Sequence, residues 1–220
     1  HKKYDIPSAI LAGDGIFTIS QLILCTIQNN SNYLLQKYNE MVLEICEGQA
    51  LDKQFEGEDK LKLDDYIEMV KKKTGALLGA CLSLPALISN ENSEKVNELY
   101  DAGKSFGVGF QIHDDIFEIF GEESVIGKSL GSDISSNKNT AIAIVAKEKN
   151  KFDWINLTNQ FDGKDLHKIR KFLKENSVKT KVENIANSYF ISAFKSLKNI
   201  EIDEKNDLYG FFKMVQARSY

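Results

Sequence analysis

Only two prolines interrupt the 220 residues, and no stretch of useful length alternates apolar with polar side chains. Both scarcities weigh against strands and sandwich loops and leave an all-α chain as the expected fold class. A basic excess is missing too. The formal net charge is −4, so nothing draws the protein generally to nucleic acid or to an anionic membrane, and any anion it binds must be held locally. Cys25, Cys46 and Cys81 are odd in number and lack metal-ligand spacing. They read as free thiols of a reducing compartment, with the cytoplasm as the expected location. The longest apolar stretches, GIFTISQLILCTI and GALLGACLSLPALIS, are broken by polar residues or by Pro85. They read as too short for a membrane span, and no integral membrane segment is expected. Nothing resembles a signal peptide, a repeat or a linker. With 42% hydrophobic residues the chain can bury a sizeable core as one domain over residues 1–220.

What is present is helical spacing. Ser8 to Gln28 carries a broad apolar pattern suited to a buried helix, and Leu34 to Phe55 reads as a second helix with Gly48 inside it. KLDDYIEMVKKKTGALLGACLSLPALIS is expected to be one long helix bent at Lys73, Thr74 and Gly75 and again near Pro85. Glu94 to Phe120 is helical until Gly121, and the small polar residues that follow read as a loop. Thr140 to Lys147 resumes a helix, Lys149 to Asp162 is ambiguous, and Gly163 to Asn176 is amphipathic. Ser177 is expected to cap a helix to about Leu197, and Asp207 to Arg218 closes the chain.

The run GFQIHDDIFEIFG sets three acids in an apolar helix. With Asp114 at zero on the helical wheel, Glu118 lies near about 40°, Gln111 near about 60° and Asp115 near about 100°. The four share a face that Ile and Phe otherwise fill. On a wet surface such acids would repel by only about 0.2–0.5 kcal/mol per pair. Buried, two charges about 6 Å apart at an effective dielectric of about 20 repel by roughly 2.8 kcal/mol, which calls for a cation or a proton. Mg²⁺ suits such a place, because it takes one or two carboxylates and completes its shell with water and phosphate oxygens. Lys128 and Lys138 flank Asp133 in the Gly- and Ser-rich stretch beyond, and metal plus lysine reads as a diphosphate site. Taken alone, acids followed by lysines are more often a solvated surface. His113 points on the wheel into the apolar face and reads as packing rather than catalysis. His167 reads as solvated, Trp154 as a local anchor, Lys71 and Lys72 as a solvated face, and Phe17 and Thr18 as packing.

FQIHDDIFEIFG and GKSLGSDISSNKNT together resemble the second aspartate-rich region of the trans-isoprenyl diphosphate synthases, the polyprenyl synthetase family that includes geranylgeranyl and farnesyl diphosphate synthases. HKKYDIPSAILAGD resembles the stretch after that family's first aspartate-rich motif, GQALD its Gly-Gln-x-x-Asp helix, KKKTGALLGA its Lys-Thr break, and LYGFFKMVQARSY its closing helix. Five blocks in family order cover nearly the whole chain. The resemblance implies an isoprenoid synthase-type helical bundle around a central cavity. It also implies a Mg²⁺-dependent condensation of an allylic diphosphate with isopentenyl diphosphate, and a homodimer with the first helix as candidate contact. Asp114 would be the principal metal ligand, supported by Asp115 and Glu118. Lys73, Thr74, Lys128 and Lys138 would hold the allylic diphosphate, Gln111 would face the reacting carbons, Gln49 and Asp52 would line the cavity, and Asp133 would steady Lys128. Glu118 stands where the family usually has Asp, and Asp5 where it tends to have Gly. The first acidic motif, which bears on product length, is expected before His1. A non-catalytic regulatory subunit and a terpene cyclase of the same fold are the alternatives. The intact Asp114, Asp115, Lys73, Lys128 and Lys138 argue against the first, and the Lys-Thr and Gly-Lys blocks against the second.

Overall fold

The structure, a computed structural model, describes residues 1–28, 30–121, 130–163 and 165–217. Among these residues all regular structure is helical: α1 (Ile6–Cys25), α2 (Ser31–Phe55), α3 (Leu63–Val70), α4 (Ala76–Ile88), α5 (Ser93–Phe120), α6 (Ser132–Ser135), α7 (Ala141–Asn159), α8 (His167–Glu175), α9 (Val178–Asn199) and α10 (Asp207–Gln216), with a π-helical turn, Lys71–Gly75, between α3 and α4.

The 28-residue α5 is the axis of the bundle and is roughly 42 Å long at about 1.5 Å per residue. It starts where the Asn92 side chain accepts the Lys95 N–H at 2.8 Å, a cap that occupies one orphan donor. It ends at Gly121, where Arg170 of α8 donates to the carbonyls of Ile119 at 2.6 Å and Gly121 at 3.1 Å. Ala102, Val108, Ile112 and Ile116 of α5 are fully buried. Phe106 stacks on Phe212 of α10 with ring centroids 3.8 Å apart. Against α4 and the π turn before it the contact is backbone on backbone. A Cβ on Gly103 would stand 2.4 Å from the Leu78 carbonyl oxygen, and one on Gly107 would stand 2.8 Å from the Gly75 Cα.

The bend expected at Lys73, Thr74 and Gly75 is a widening rather than a break. The Ala76 N–H donates to the Lys71 carbonyl, five residues back, while Val70, Lys71, Gly75 and Ala76 keep right-handed helical dihedrals. Such a turn inserts a residue without ending the helix and re-aims the side chains it carries. Gly48 of α2 seats against it, since a Cβ there would lie 2.3 Å from the Lys73 backbone nitrogen. No second break occurs at Pro85, which lies inside α4.

Several expectations are corrected. The ambiguous stretch Lys149 to Asp162 is mostly helix, with α7 running to Asn159 through a kink at Asn150 (φ −155°, ψ 89°). Trp154 then buries 6.0 Å from the Phe172 ring, the anchor it was expected to be. α8 begins at His167 and not at Gly163, whose φ of +83° lies outside the helical region. Ser177 is left-handed, with φ 56° and no side-chain bond, so it does not cap α9. The largest difference is α1. Expected to be buried, it has no buried residue, and Ile16 is 69% exposed. Ser20 meets the Tyr38 hydroxyl at 2.6 Å, and the Phe17 ring lies against Tyr38. An apolar helix pattern shows that cover is needed, not that the same chain supplies it. By length and composition α1 is also apolar enough to cross a membrane, contrary to the reading that this stretch falls short.

Candidate active site

Five parts of the chain line a small cavity that opens to solvent. The end of α2 contributes Asp52, Phe55 and Glu56, and the π turn contributes Lys73 and Thr74. From α5 come Gln111 and Asp115, and from the α6–α7 segment Asp133, Lys138, Asn139 and Thr140. Tyr66, Met69 and Val70 of α3 form its floor.

The widened turn points Lys73 inward, where its Nζ meets Asp52 Oδ2 at 2.6 Å. Next to it, Thr74 Oγ1 donates to Gln111 Oε1 at 3.2 Å, joining the turn to α5. From the α6–α7 segment Lys138 Nζ pairs with Asp133 Oδ1 at 2.7 Å, a bond that holds its ammonium above the usual lysine pKa. Each lysine is thus parked on a carboxylate beside the cavity. Both pairs are part-exposed and cheap to open, because ion pairs reached by water contribute about 0–1 kcal/mol. An arriving dianionic group can take the ammoniums while a cation takes the acids. Lys72, one residue away, pairs outside the cavity with Glu47 at 2.8 Å.

The acidic stripe does not stay together. Asp115 is 6% exposed and accepts from Tyr66 Oη at 2.6 Å, the Ala141 N–H at 3.2 Å and Gln111 Nε2 at 3.4 Å. Asp114, about 100° round the helix, is exposed and does not line the cavity. Glu118 is half-buried and accepts the Ser132 N–H at 2.7 Å and its hydroxyl at 2.6 Å, which ties α6 to α5. It shares a neighbouring cleft with Asp115 and Asp133. Gln49 is exposed, reaches Asp52 only at 3.4 Å and stays off the cavity wall. Lys128 lies outside the described residues. Asp133, expected to steady Lys128, pairs with Lys138. His113 packs as expected, edge-on to Phe190 at 5.1 Å, and burial lowers its pKa. Sequence reasoning missed Tyr66 and Asn139, because nothing local marks a tyrosine whose partner is 49 residues away.

Among the described residues no three acidic, cysteine or histidine side chains converge on one point. Asp115, Asp133 and Glu118 nonetheless offer hard carboxylate oxygens around one cleft. That donor chemistry suits Mg²⁺, whose remaining positions water and phosphate oxygens fill.

Burial pushes the Asp115 carboxyl up to about 7, the nearby Asp133 charge adds to this, and the Tyr66 bond opposes it. Its folded pKa therefore lies above the ordinary 3.8, so the folded chain holds a proton that the unfolded chain releases. The stability from this group is present below that ordinary value and is lost as pH rises through about 7. Metal-free protein is expected to melt lower at pH 8 than at pH 5, and Asp115→Asn to remove part of that slope. Melts of both proteins across this range check it, and an unchanged slope in the variant refutes it.

The model of the polyprenyl synthetase family matches residues 1–176. The chain is 40% identical over 152 residues to a geranylgeranyl pyrophosphate synthase of Geoglobus acetivorans, a match covering 68% of this chain and 47% of that protein. It is 30% identical over 220 residues to a geranylgeranyl diphosphate synthase of Sulfolobus acidocaldarius, covering 96% and 66%. The crystal structure of geranylgeranyl pyrophosphate synthetase from Pyrococcus horikoshii superposes with a TM-score of 0.89 at 29% identity, over 100% of this chain and 69% of that one. The chain thus spans about half the length of the first of these relatives. Its helical bundle, its lysine-bearing turn and the reach of the family match agree, and the chain belongs to the polyprenyl synthetase family.

Proposed function

We propose that the protein is a Mg²⁺-dependent trans-prenyltransferase that condenses an allylic diphosphate with isopentenyl diphosphate into a short-chain polyprenyl diphosphate of geranylgeranyl or farnesyl type. One observation carries the reading. Lys73 and Lys138, from separate elements, line one cavity together with Asp115 and Gln111. Relatives named geranylgeranyl diphosphate synthase support it over a regulatory subunit or a cyclase.

In this reading Lys73, Thr74 and Lys138 hold the diphosphate, with Lys128 from the segment beyond α5, and Gln111 lies beside the reacting carbons. Asp115 and Glu118, with Asp133 from the same cleft, would hold Mg²⁺, with Asp114 joining them from the exposed side of α5; bound there, the ion would neutralise charge on the leaving group. The allylic C–O bond breaks with its electron pair leaving on the diphosphate. The isopentenyl double bond forms the new C–C bond, and the proton lost passes to the departing diphosphate. The lysines act by being already aimed where that charge collects.

Lys73→Ala is expected to raise the KM for the allylic substrate about tenfold or more, as loss of a charged contact does. Lys72→Ala, whose partner Glu47 is off the cavity, is expected to stay within about twofold. Steady-state kinetics on the full-length protein check this, and equal effects for the two variants would mean that the wrong lysine carries the diphosphate. The protein is further proposed to be a cytoplasmic homodimer in which a second copy covers α1 and its exposed Ile10, Ile16 and Leu22. Light scattering is expected to give twice the chain mass at micromolar concentration, and a monomer there sinks the dimer.

A further inference from the structure

Asn139 is 9% exposed and uses both ends of its amide. Nδ2 donates to the carbonyls of Phe55 at 2.7 Å and Glu58 at 2.8 Å, while Oδ1 accepts from Lys147 Nζ at 2.9 Å. Phe55 is the last residue of α2, and its carbonyl, which the helix leaves without an internal partner, accepts from the Glu58 N–H at 3.1 Å as well as from Asn139. A carbonyl can only accept and an ammonium can only donate, so the two carbonyls and Lys147 together fix which end of the amide faces α2.

The place of this residue gives those bonds meaning. Lys138 and Thr140 on either side of it line the cavity, and so do Asp52, Phe55 and Glu56 on the stretch it grips. Asp52 carries Lys73, and Asp133 carries Lys138. One side-chain amide therefore joins the Lys138 segment to the end of α2, which carries the partner of Lys73, across 81 to 84 residues of sequence.

We infer that Asn139 is a positioning residue, which sets the span between Lys73 and Lys138 and so holds the cavity ready for a diphosphate. The inference rests on the diphosphate reading above. Without the clamp the α6–α7 segment keeps its Lys138–Asp133 pair and its ties to Glu118 and Asp115 on α5, but loses its direct hold on the end of α2. Misplacement on the scale of an ångström is enough to weaken a pre-formed site.

The test titrates inorganic pyrophosphate with Mg²⁺ into the full-length protein by calorimetry, for the parent, Asn139→Ala, Lys138→Ala and the double variant. Each single variant is expected to bind about tenfold more weakly. The double variant is expected to fall within about twofold of the weaker single one, because Asn139 acts through Lys138. A purely structural role would make the two losses multiply, and that outcome overturns the inference, as does parent-like affinity in Asn139→Ala. Parent-like affinity in Lys138→Ala overturns the diphosphate reading itself and the inference with it, so the two failures are told apart. If Asn139→Ala does not fold, Asn139→Asp keeps the size and sets an acceptor against the two carbonyls in place of the donor. About a threefold or greater loss of pyrophosphate affinity is then expected, and none at all refutes the clamp.

Discussion

Asp114→Asn is expected to lower the turnover of an allylic diphosphate with isopentenyl diphosphate by about 10²–10³-fold while leaving the melting temperature at or slightly above that of the parent. Two parts of the structure set these opposite signs. Asp114 is exposed on α5 and so contributes no core packing, while Glu118 one turn on adds like charge that an amide relieves. Its loss is proposed to remove a ligand from the cation that neutralises the leaving group, an effect felt in the transition state. Turnover of the full-length protein and melts with and without Mg²⁺ measure both. An Asp114→Asn protein that elongates at the parent rate ends the metal-ligand reading. One that unfolds under conditions where the metal-free parent stays folded makes Asp114 a structural residue.

Gly48→Ala carries the second large effect, and here stability and affinity fall together. The added Cβ would stand 2.3 Å from the Lys73 backbone nitrogen, 2.7 Å from its Cα and 2.8 Å from the Lys72 carbonyl carbon. All three are backbone atoms, and no side chain can rotate away. The helices must separate, at a cost of about 1–3 kcal/mol or more by comparison with other overpacked sites. Because the atoms that are struck belong to the lysine of the π turn, pyrophosphate affinity is expected to drop with stability. Denaturant melts and calorimetry on the variant check this, and parent-like values in both would show that α2 and the turn are not locked.

The bundle was legible in the sequence because helices announce themselves locally, through spacing, caps and the glycine at 121. The Lys73 turn was legible for the same reason, although a bend and a π turn leave the same trace in sequence. The acidic stripe was half legible. A wheel shows that Asp114 and Asp115 are about 100° apart, but which of them faces the cavity depends on where Tyr66 and Ala141 arrive, and both are distant in sequence. Asn139 was not legible, since its meaning lies in two carbonyls more than 80 residues earlier. α1 misled in another way. Its side chains report that water must be excluded and are silent on what excludes it.

The backbone-on-backbone seam between α4 and α5 also bears on engineering this protein for heat resistance. Replacing a helical glycine by alanine ordinarily gains up to about 1 kcal/mol through chain entropy. At Gly75, Gly103 and Gly107 a methyl group has nowhere to go, so a stabilisation campaign that scores helices one at a time would choose the wrong positions. Gly210, exposed on α10 with no atom within 4 Å of an added Cβ, is where that gain can be collected.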